Sequence, residues 1–364
     1  MTSNQPQNLG VALLGVAHPH TSARLRAFES VDSVSVRAVV DEGPLGSVFA
    51  EHFDLDLQSL NDVLGRDDIH AVLVHSRTSE MVDLALAAVA AGKSVLVEKP
   101  CGNGPDDIAR LVAAANDSDV VVQAGYAIRT SPVVEEARKV LESGQLGEVV
   151  TVRVNGSCAL GEHATPLLNE PGDIGGALFV IGCHHVDIIL HLFGDPSSVR
   201  ASVEKFSALS GDDSREDAAS VTFRYPDKVV SFVFNAQDPL GNLESWRLSV
   251  AGTRGVFEAG FLPTTTELYL SEDHGDEAGW VRKTDTAFTV PFSGEPTSFS
   301  PDIPQVANIS FYEEEARRFV KAVRGGEAPH ATASDAWLVA EAISRCYQSS
   351  ANDGASETLR QVST

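Results

Sequence analysis

Hydrophobic and polar positions change period once along this 364-residue chain. From Leu9 to about Gly125, short β-branched runs alternate with stretches of helical period, the pattern of βαβ units around a parallel sheet. Strands are predicted at Val11–Leu14, Val34–Val40, Ala71–Val74, Ser94–Val97 and Val120–Gln123, with helices between them at Thr21–Glu29, Leu45–His52, Glu80–Ala91 and Pro105–Ala115. A further helix is predicted over Pro132–Ser143, ended by Gly144. Beyond it the period drops to two, at Glu148–Asn155, Val199–Lys205, Ala218–Tyr225, Val229–Asn235 and Trp246–Val250, which predicts a large, mainly antiparallel sheet. One apolar helix, about Ala177–Phe193, interrupts that sheet, and two more, near Phe311–Val323 and Ser334–Tyr347, close the chain. Asp212–Asp217 and Ser271–Ala278 are acidic and turn-rich and read as solvated loops. The expected fold is α/β: a doubly wound first half followed by an α+β second half.

Length and composition narrow the function. The chain exceeds the roughly 100–200 residues of one domain, which fits two. Asp plus Glu is 51 against 27 for Lys plus Arg, and the net charge of -24 repels phosphate backbones and anionic lipid heads. Nucleic acid and membrane are therefore not expected partners. No apolar run approaches the ~20 residues that span a bilayer. Met1–Asn8 is polar without a basic start, so the cytoplasm is the expected compartment. Cys101, Cys158, Cys183 and Cys346 lie far apart, which fits reduced thiols rather than a disulfide frame or zinc site.

Candidate chemistry gathers at strand ends. The first strand runs into Gly15-Val16-Ala17-His18-Pro19-His20 before a helix, where a dinucleotide fold sets its G-x-G-x-x-G turn. Ala17 is small enough for backbone to approach a pyrophosphate, whereas His20 stands where a glycine usually allows tight helix packing. His18 and His20 would lie near the helix N-terminus, whose N–H groups attract phosphate, and either line a cofactor or cap the loop. Asp41 ends the second strand, where a carboxylate can accept from a ribose 2′-hydroxyl. With Glu42 beside it and no Arg or Lys to follow, it favours NAD over NADP; the bland alternative is a turn aspartate. Glu98-Lys99-Pro100 sets Lys99 at the carboxyl end of a parallel strand, where such sheets bind ligands, and a cis X-Pro bond could re-aim it. His184, Asp187 and His191 share a helix face. A polar stripe near a cleft accounts for that face, and no metal is expected, because no further cluster supplies the remaining ligands.

In order and spacing, three segments resemble the Gfo/Idh/MocA family of glucose-fructose oxidoreductase, inositol dehydrogenase and rhizopine catabolism proteins, and the likeness spans nearly the whole chain. They are Ala91-Gly92-Lys93-Ser94-Val95-Leu96-Val97-Glu98-Lys99-Pro100, Gly125-Tyr126 with Arg129, and Gly175-Gly176-Ala177-Leu178 followed by Gly182, His184 and Asp187. The resemblance implies a Rossmann dinucleotide-binding domain at about residues 1–128. It implies an α+β domain with an open sheet at 129–364 for substrate and oligomerisation, as a homodimer or homotetramer, whose C-terminal helices could pack back on the first domain. It further implies NAD, less readily NADP, and hydride transfer to or from a secondary alcohol of a sugar, cyclitol or related polyol. Lys99 matches the catalytic lysine of the family's E-K-P motif and His184 the histidine of its D-x-x-x-H motif, whose aspartate falls on Val180. Gly15, Ala17, His18, Pro19, His20, Asp41, Glu98 and Lys99 would meet the cofactor, with Ser76-Arg77-Thr78 replacing the family's common Thr-Pro-Asn. Tyr126, His185 and Asp187 would meet the substrate. Two other readings stay open: a non-catalytic NAD-binding regulatory protein, which Val180 keeps in play, and an NAD-dependent lyase or glycosidase in which oxidation is transient.

Overall fold

The computed structural model describes residues 8–158, 172–206, 216–238, 245–261, 263–285 and 310–361. Its first sheet contains six parallel strands, β1 (Leu9–Leu14), β2 (Val34–Val40), β3 (Asp56–Leu57), β4 (Ala71–Val74), β5 (Ser94–Glu98) and β6 (Val122–Gly125). They lie in the order β3-β2-β1-β4-β5-β6. Helices α1 (Thr21–Glu29), α2 (Pro44–Phe53), α3 (Leu60–Leu64), α4 (Thr78–Ala90) and α5 (Pro105–Asn116) connect them. β1, β4 and β5 are buried along their whole length, as strands with helices on both faces must be, and this is why they read as continuous apolar runs. Strand order reverses between β1 and β4, so their carboxyl ends open a crevice. Gly15 turns the chain there with φ 83°, and a Cβ on it would lie 2.6 Å from the Ser76 Cα. Only a glycine lets these two strand ends approach so closely.

Helix α6 (Pro132–Ser143) ends at Gly144, whose φ of 68° satisfies a left-handed C-cap. The second sheet has nine strands: β7 (Val149–Ser157), β8 (Ser198–Glu204), β9 (Ala218–Arg224), β10 (Val229–Asn235), β11 (Arg247–Gly252), β12 (Gly255–Gly260), β13 (Thr264–Leu270), β14 (Gly279–Asp285) and β15 (Glu357–Thr358). Their order is β14-β13-β12-β11-β7-β10-β9-β8-β15, and of these pairings β7 with β10 is parallel and the others antiparallel. A π-helical turn, Leu178–Gly182, leads into α7 (Cys183–Phe193). After α8 (Ser310–Val323) and α9 (Ala333–Ala351) the chain ends in β15. α6 rests on β12 and β13, α7 on β7 and α9 on β8, while α8 packs on α1 and α9 on α5. Thr332 bridges Gln123 of β6, so the last helices tie back to the first sheet.

The sequence reading misses the two-residue β3, the short α3 and β12 to β15. β12 begins and ends in glycine, and the buried positions Thr264 and Thr266 of β13 are polar, so neither strand shows the apolar alternation that marks its neighbours. Ser271–Ala278 contains a short 3₁₀ turn, Glu272–Glu277, that links β13 to β14. Positions 212–215 of the other acidic stretch lie outside the described residues. All four cysteines are buried and unpaired. Among the described residues no helix is long and apolar enough to cross a membrane.

Candidate active site

The Lys99–Pro100 peptide that follows β5 is cis. Lys99 is 3% exposed, and its ammonium donates to the Val180 carbonyl at 2.8 Å. The residue standing where the motif aspartate would be thus holds the lysine through its backbone, in the π-helical turn. His184 follows at the start of α7. Burial, reinforced by the charge of Lys99, holds its imidazole well below the ordinary histidine pKa, so the ring is neutral near neutral pH. Rings of His20, Tyr126 and Trp246 surround it, with centroids 6.4, 6.2 and 5.9 Å away. His184 Nδ1 and the Tyr126 hydroxyl are both buried with no hydrogen-bond partner among the described residues.

The first turn builds the other wall. The His20 amide donates to His18 Nδ1 at 3.2 Å, which leaves the His18 ring proton on Nε2, a buried donor without a partner. His20 Nδ1 lies 3.1 Å from Glu98 Oε1, and Arg24 donates to Glu98 Oε2 at 2.6 Å and also to Glu315. Burial alone would raise the Glu98 pKa, but Arg24 and His20 hold it well below the carboxylate range. This corrects one expectation: Glu98 is fully buried with both oxygens engaged, so it faces α1 and not a cofactor. His18, His20 and Glu98 bring ligand-type atoms within 4.8 Å of one another. A cation fits poorly there. Arg24 is already on the carboxylate, Lys99 adds its charge to the field at both histidines, and the His20 amide occupies His18 Nδ1.

Across the crevice, Asp41 accepts from the Val16 amide at 2.9 Å and the Gly43 amide at 2.8 Å, which fixes its carboxylate at the end of β2 with lone pairs to spare. His75 follows β4, with Nδ1 3.3 Å from Thr21 Oγ1, Nε2 unpartnered, and a pKa pushed down to about 3 by burial. Ser76 donates to Glu80, Arg77 precedes α4 as its N-cap residue, and Thr78 is buried in the first turn. The segment at residues 172–176 spans these elements. Asp173 accepts from the Ser79 amide at 3.0 Å, and Asn103 donates to the Gly172 carbonyl at 2.7 Å. A dinucleotide fits this crevice: Gly15 lets backbone close in, His18 Nε2 offers a donor to a phosphate oxygen, and Asp41 stands ready for a ribose.

Two expected substrate contacts are elsewhere. Asp187 is 1% exposed and is gripped by Arg129 through contacts of 2.6 to 3.0 Å, so it clamps α7 to the 3₁₀ turn Ala127–Thr130. His185 is buried against Phe232, Phe234 and Trp246, in space left by Gly156, whose Cβ would lie 2.5 Å from its Nε2. His191 is exposed, so the shared helix face divides between crevice, clamp and solvent. The structure adds Tyr312, whose ring is 5.5 Å from His20, together with Trp246 and His75. Single aromatic or histidine positions in apolar segments carry no signal that could have picked them out.

Comparison with known proteins agrees with this architecture. Residues 9–126 match the GFO/IDH/MocA oxidoreductase family model with its NAD-binding Rossmann fold, and residues 134–258 match the GFO/IDH/MocA C-terminal domain. An uncharacterized oxidoreductase of Schizosaccharomyces pombe is 26% identical over 364 residues, covering 96% of this chain and 97% of its own length. Trans-1,2-dihydrobenzene-1,2-diol dehydrogenase of Xenopus laevis is 25% identical over 283 residues, with 75% of this chain and 76% of that protein covered. Levoglucosan dehydrogenase in complex with NADH and levoglucosan shares the fold, with a TM-score of 0.83 at 21% identity over 98% of this chain and 100% of that one. Matched in order by both models of one family, and built on the crevice they imply, the chain belongs to the GFO/IDH/MocA family of NAD-binding oxidoreductases.

Proposed function

We propose that this oxidoreductase moves a hydride between NAD and a secondary alcohol of a sugar, cyclitol or related polyol, with Lys99 and His184 at the reacting carbon. The observation that carries the reading is Lys99: a nearly sealed ammonium at the carboxyl end of β5, anchored by the Val180 carbonyl just ahead of the neutral His184. When bound, the nicotinamide supplies the hydride chemistry. Lys99 stabilises charge developing on the substrate oxygen, in a dry environment where a fixed donor acts more strongly than in water. His184 hydrogen-bonds that oxygen and orients it, and Tyr126 lines the substrate side. Gly15, Ala17, His18 and Pro19 hold the phosphates, Asp41 the ribose, and Ser76 to Thr78 border the cofactor. Residues 1–128 then serve the cofactor and 129–364 the substrate. The anchoring of Lys99 by the Val180 backbone carbonyl supports a working site in spite of the missing carboxylate.

NAD over NADP is supported by Asp41 and its acidic neighbour Glu42, which would repel a 2′-phosphate. A cytoplasmic setting is supported by four buried, unpaired thiols. A homo-oligomer through the second sheet is supported by exposed Val229, Val233 and Trp280 on its strands, although the row Arg200, Thr222, Ser231, Arg153, Ser249, Glu258, Glu267, Arg282 across the same sheet is polar. The reading is tested by incubating purified protein with levoglucosan, myo-inositol or D-xylose and either cofactor while following absorbance of the reduced nicotinamide. Net reduction is expected. NAD binding without turnover on any alcohol would favour the regulatory reading, and bond cleavage without net reduction the lyase reading.

A further inference from the structure

We propose that His20, held by Glu98, is the group that takes the substrate hydroxyl proton during oxidation and returns it during reduction, so that Glu98 is a positioning residue for a catalytic histidine from the first βα turn. The proposal rests on the hydride-transfer reading above. An imidazole acts as a base when an acceptor fixes the proton on one nitrogen and leaves the lone pair on the other. His20 has that arrangement: Nδ1 is 3.1 Å from Glu98 Oε1, and Arg24 at 2.6 Å from Oε2 keeps the carboxylate ionised. Nδ1 therefore carries the proton, and Nε2, on the opposite edge of the ring, carries the lone pair.

Among the described residues, no carboxylate is seen hydrogen-bonded to the rings of the other crevice histidines. His184 Nδ1 is buried with no partner among the described residues, so no acceptor holds a proton on it. His18 has the reverse arrangement, its Nδ1 accepting the His20 amide, so that its free nitrogen bears a proton. Among the described residues, the His75 ring has its hydrogen-bond contact with the Thr21 hydroxyl. His20 also borders the open space: its side chain is 14% exposed while Glu98 behind it is sealed, and its ring stacks toward His184 and lies beside Tyr312. The charged and titratable groups around it are Glu98 and Lys99 from the end of β5, Arg24 on its own helix, His18 in the turn, His75 after β4, His184 on α7 and Tyr312 on α8. Burial lowers its pKa, Glu98 opposes that, and Lys99 and Arg24 add to it, which leaves a neutral ring near neutral pH.

The step balances. The C–H bond breaks and its electron pair leaves as the hydride that the nicotinamide accepts, the carbonyl double bond forms, and the O–H proton passes to His20 Nε2. The resulting imidazolium is stabilised by Glu98 until the proton reaches solvent.

The test compares wild type, His20→Asn and Glu98→Gln with NAD and the same three sugars. The readouts are the pH profile, the solvent deuterium effect and NAD affinity by fluorescence. His20→Asn is expected to lower kcat by about 10²–10³-fold, with NAD affinity retained and a residual rate that climbs with pH without levelling off, as for proton loss to solvent. Glu98→Gln is expected to lower kcat by about 10–100-fold and to move the acid limb to lower pH, because the charge opposing burial is gone. A His20→Asn enzyme with the wild-type pH profile overturns the proposal, as does activity that a chelator abolishes and zinc restores. Nitrogen-15 NMR of the wild type provides a readout independent of turnover and of the variants' folding. The Nδ1–H tautomer of His20 is expected, and the Nε2–H tautomer would overturn the assignment. Failure of the wild type on every sugar, with the expected tautomer present, would count against hydride transfer and not against the histidine–carboxylate pair.

Discussion

Asp41 shows how much a single residue decides. Its carboxylate is fixed by two backbone amides, so its position at the end of β2 does not depend on a bound nucleotide. A hydrogen bond to a charged acceptor contributes about 1.5–3 kcal/mol, so Asp41→Ser should narrow the ratio of kcat/KM for NAD over NADP by about 10- to 100-fold. A wild-type preference for NADP would show that the ribose contact is misassigned. Residues of this kind were legible in sequence because strand ends are: Gly15, Asp41 and Lys99 each come at the end of a mainly apolar strand, and topology alone delivers them to the crevice. Asp187, His185 and Glu98 were not legible. Each lies beside a crevice residue, but its direction is set by a distant partner: Arg129, the aromatic cluster with Gly156, and Arg24.

At the scale of elements, a buried ion pair between Arg129 and Asp187 joins α7 to the turn before α6, and the same guanidinium reaches Asp335 of α9 at 3.3 Å. Arg129 and Asp187 are 5% and 1% exposed, and the guanidinium also donates to the His330 carbonyl ahead of α9. Arg129→Met keeps most of the volume but strands a buried carboxylate, so it should lower the unfolding free energy by about 3–5 kcal/mol, measured by urea denaturation. A loss within error of zero would mean that the clamp is dispensable. The two sheets differ in how clearly sequence announces them. Parallel strands buried on both faces stand out as apolar runs, and β7 to β11 alternate. β12 and β13 have their pattern blurred by terminal glycines and buried threonines, so they emerge only when the register with β11 is known.

The whole molecule carries an unusual load of buried neutral histidine. Burial lowers the pKa of His18, His75, His184, His185 and His330, and for His75, His185 and His330 it does so to about 3. These groups bind no proton in the folded chain at moderate pH, whereas the unfolded chain protonates them below about 6.5. Their contribution is therefore intact above that pH and is lost as pH falls through the window toward 3. By about pH 5 each of the three should destabilise the fold by about 2 kcal/mol, a large share of a typical total. The denaturation midpoint should be flat from about pH 8 to 7 and fall steeply from about 6.5 to 5, and a flat profile across both ranges would contradict the neutral, buried assignment.

Both sheets, the π-helical turn and the first βα turn converge on Lys99, so its replacement tests the account most directly. Lys99→Met should retain the fold and the NAD affinity, which the proposed function assigns to Gly15, His18 and Asp41. It should also lose transition-state stabilisation on the order of 3–4 kcal/mol, the size of a lost oxyanion donor, so that reduced nicotinamide accumulates at least about 100-fold more slowly. The measurement pairs fluorescence titration of NAD with absorbance of the product cofactor for wild type and variant. Unchanged binding with turnover nearly abolished is the predicted result. A Lys99→Met protein that reduces NAD at the wild-type rate would contradict hydride transfer at this site.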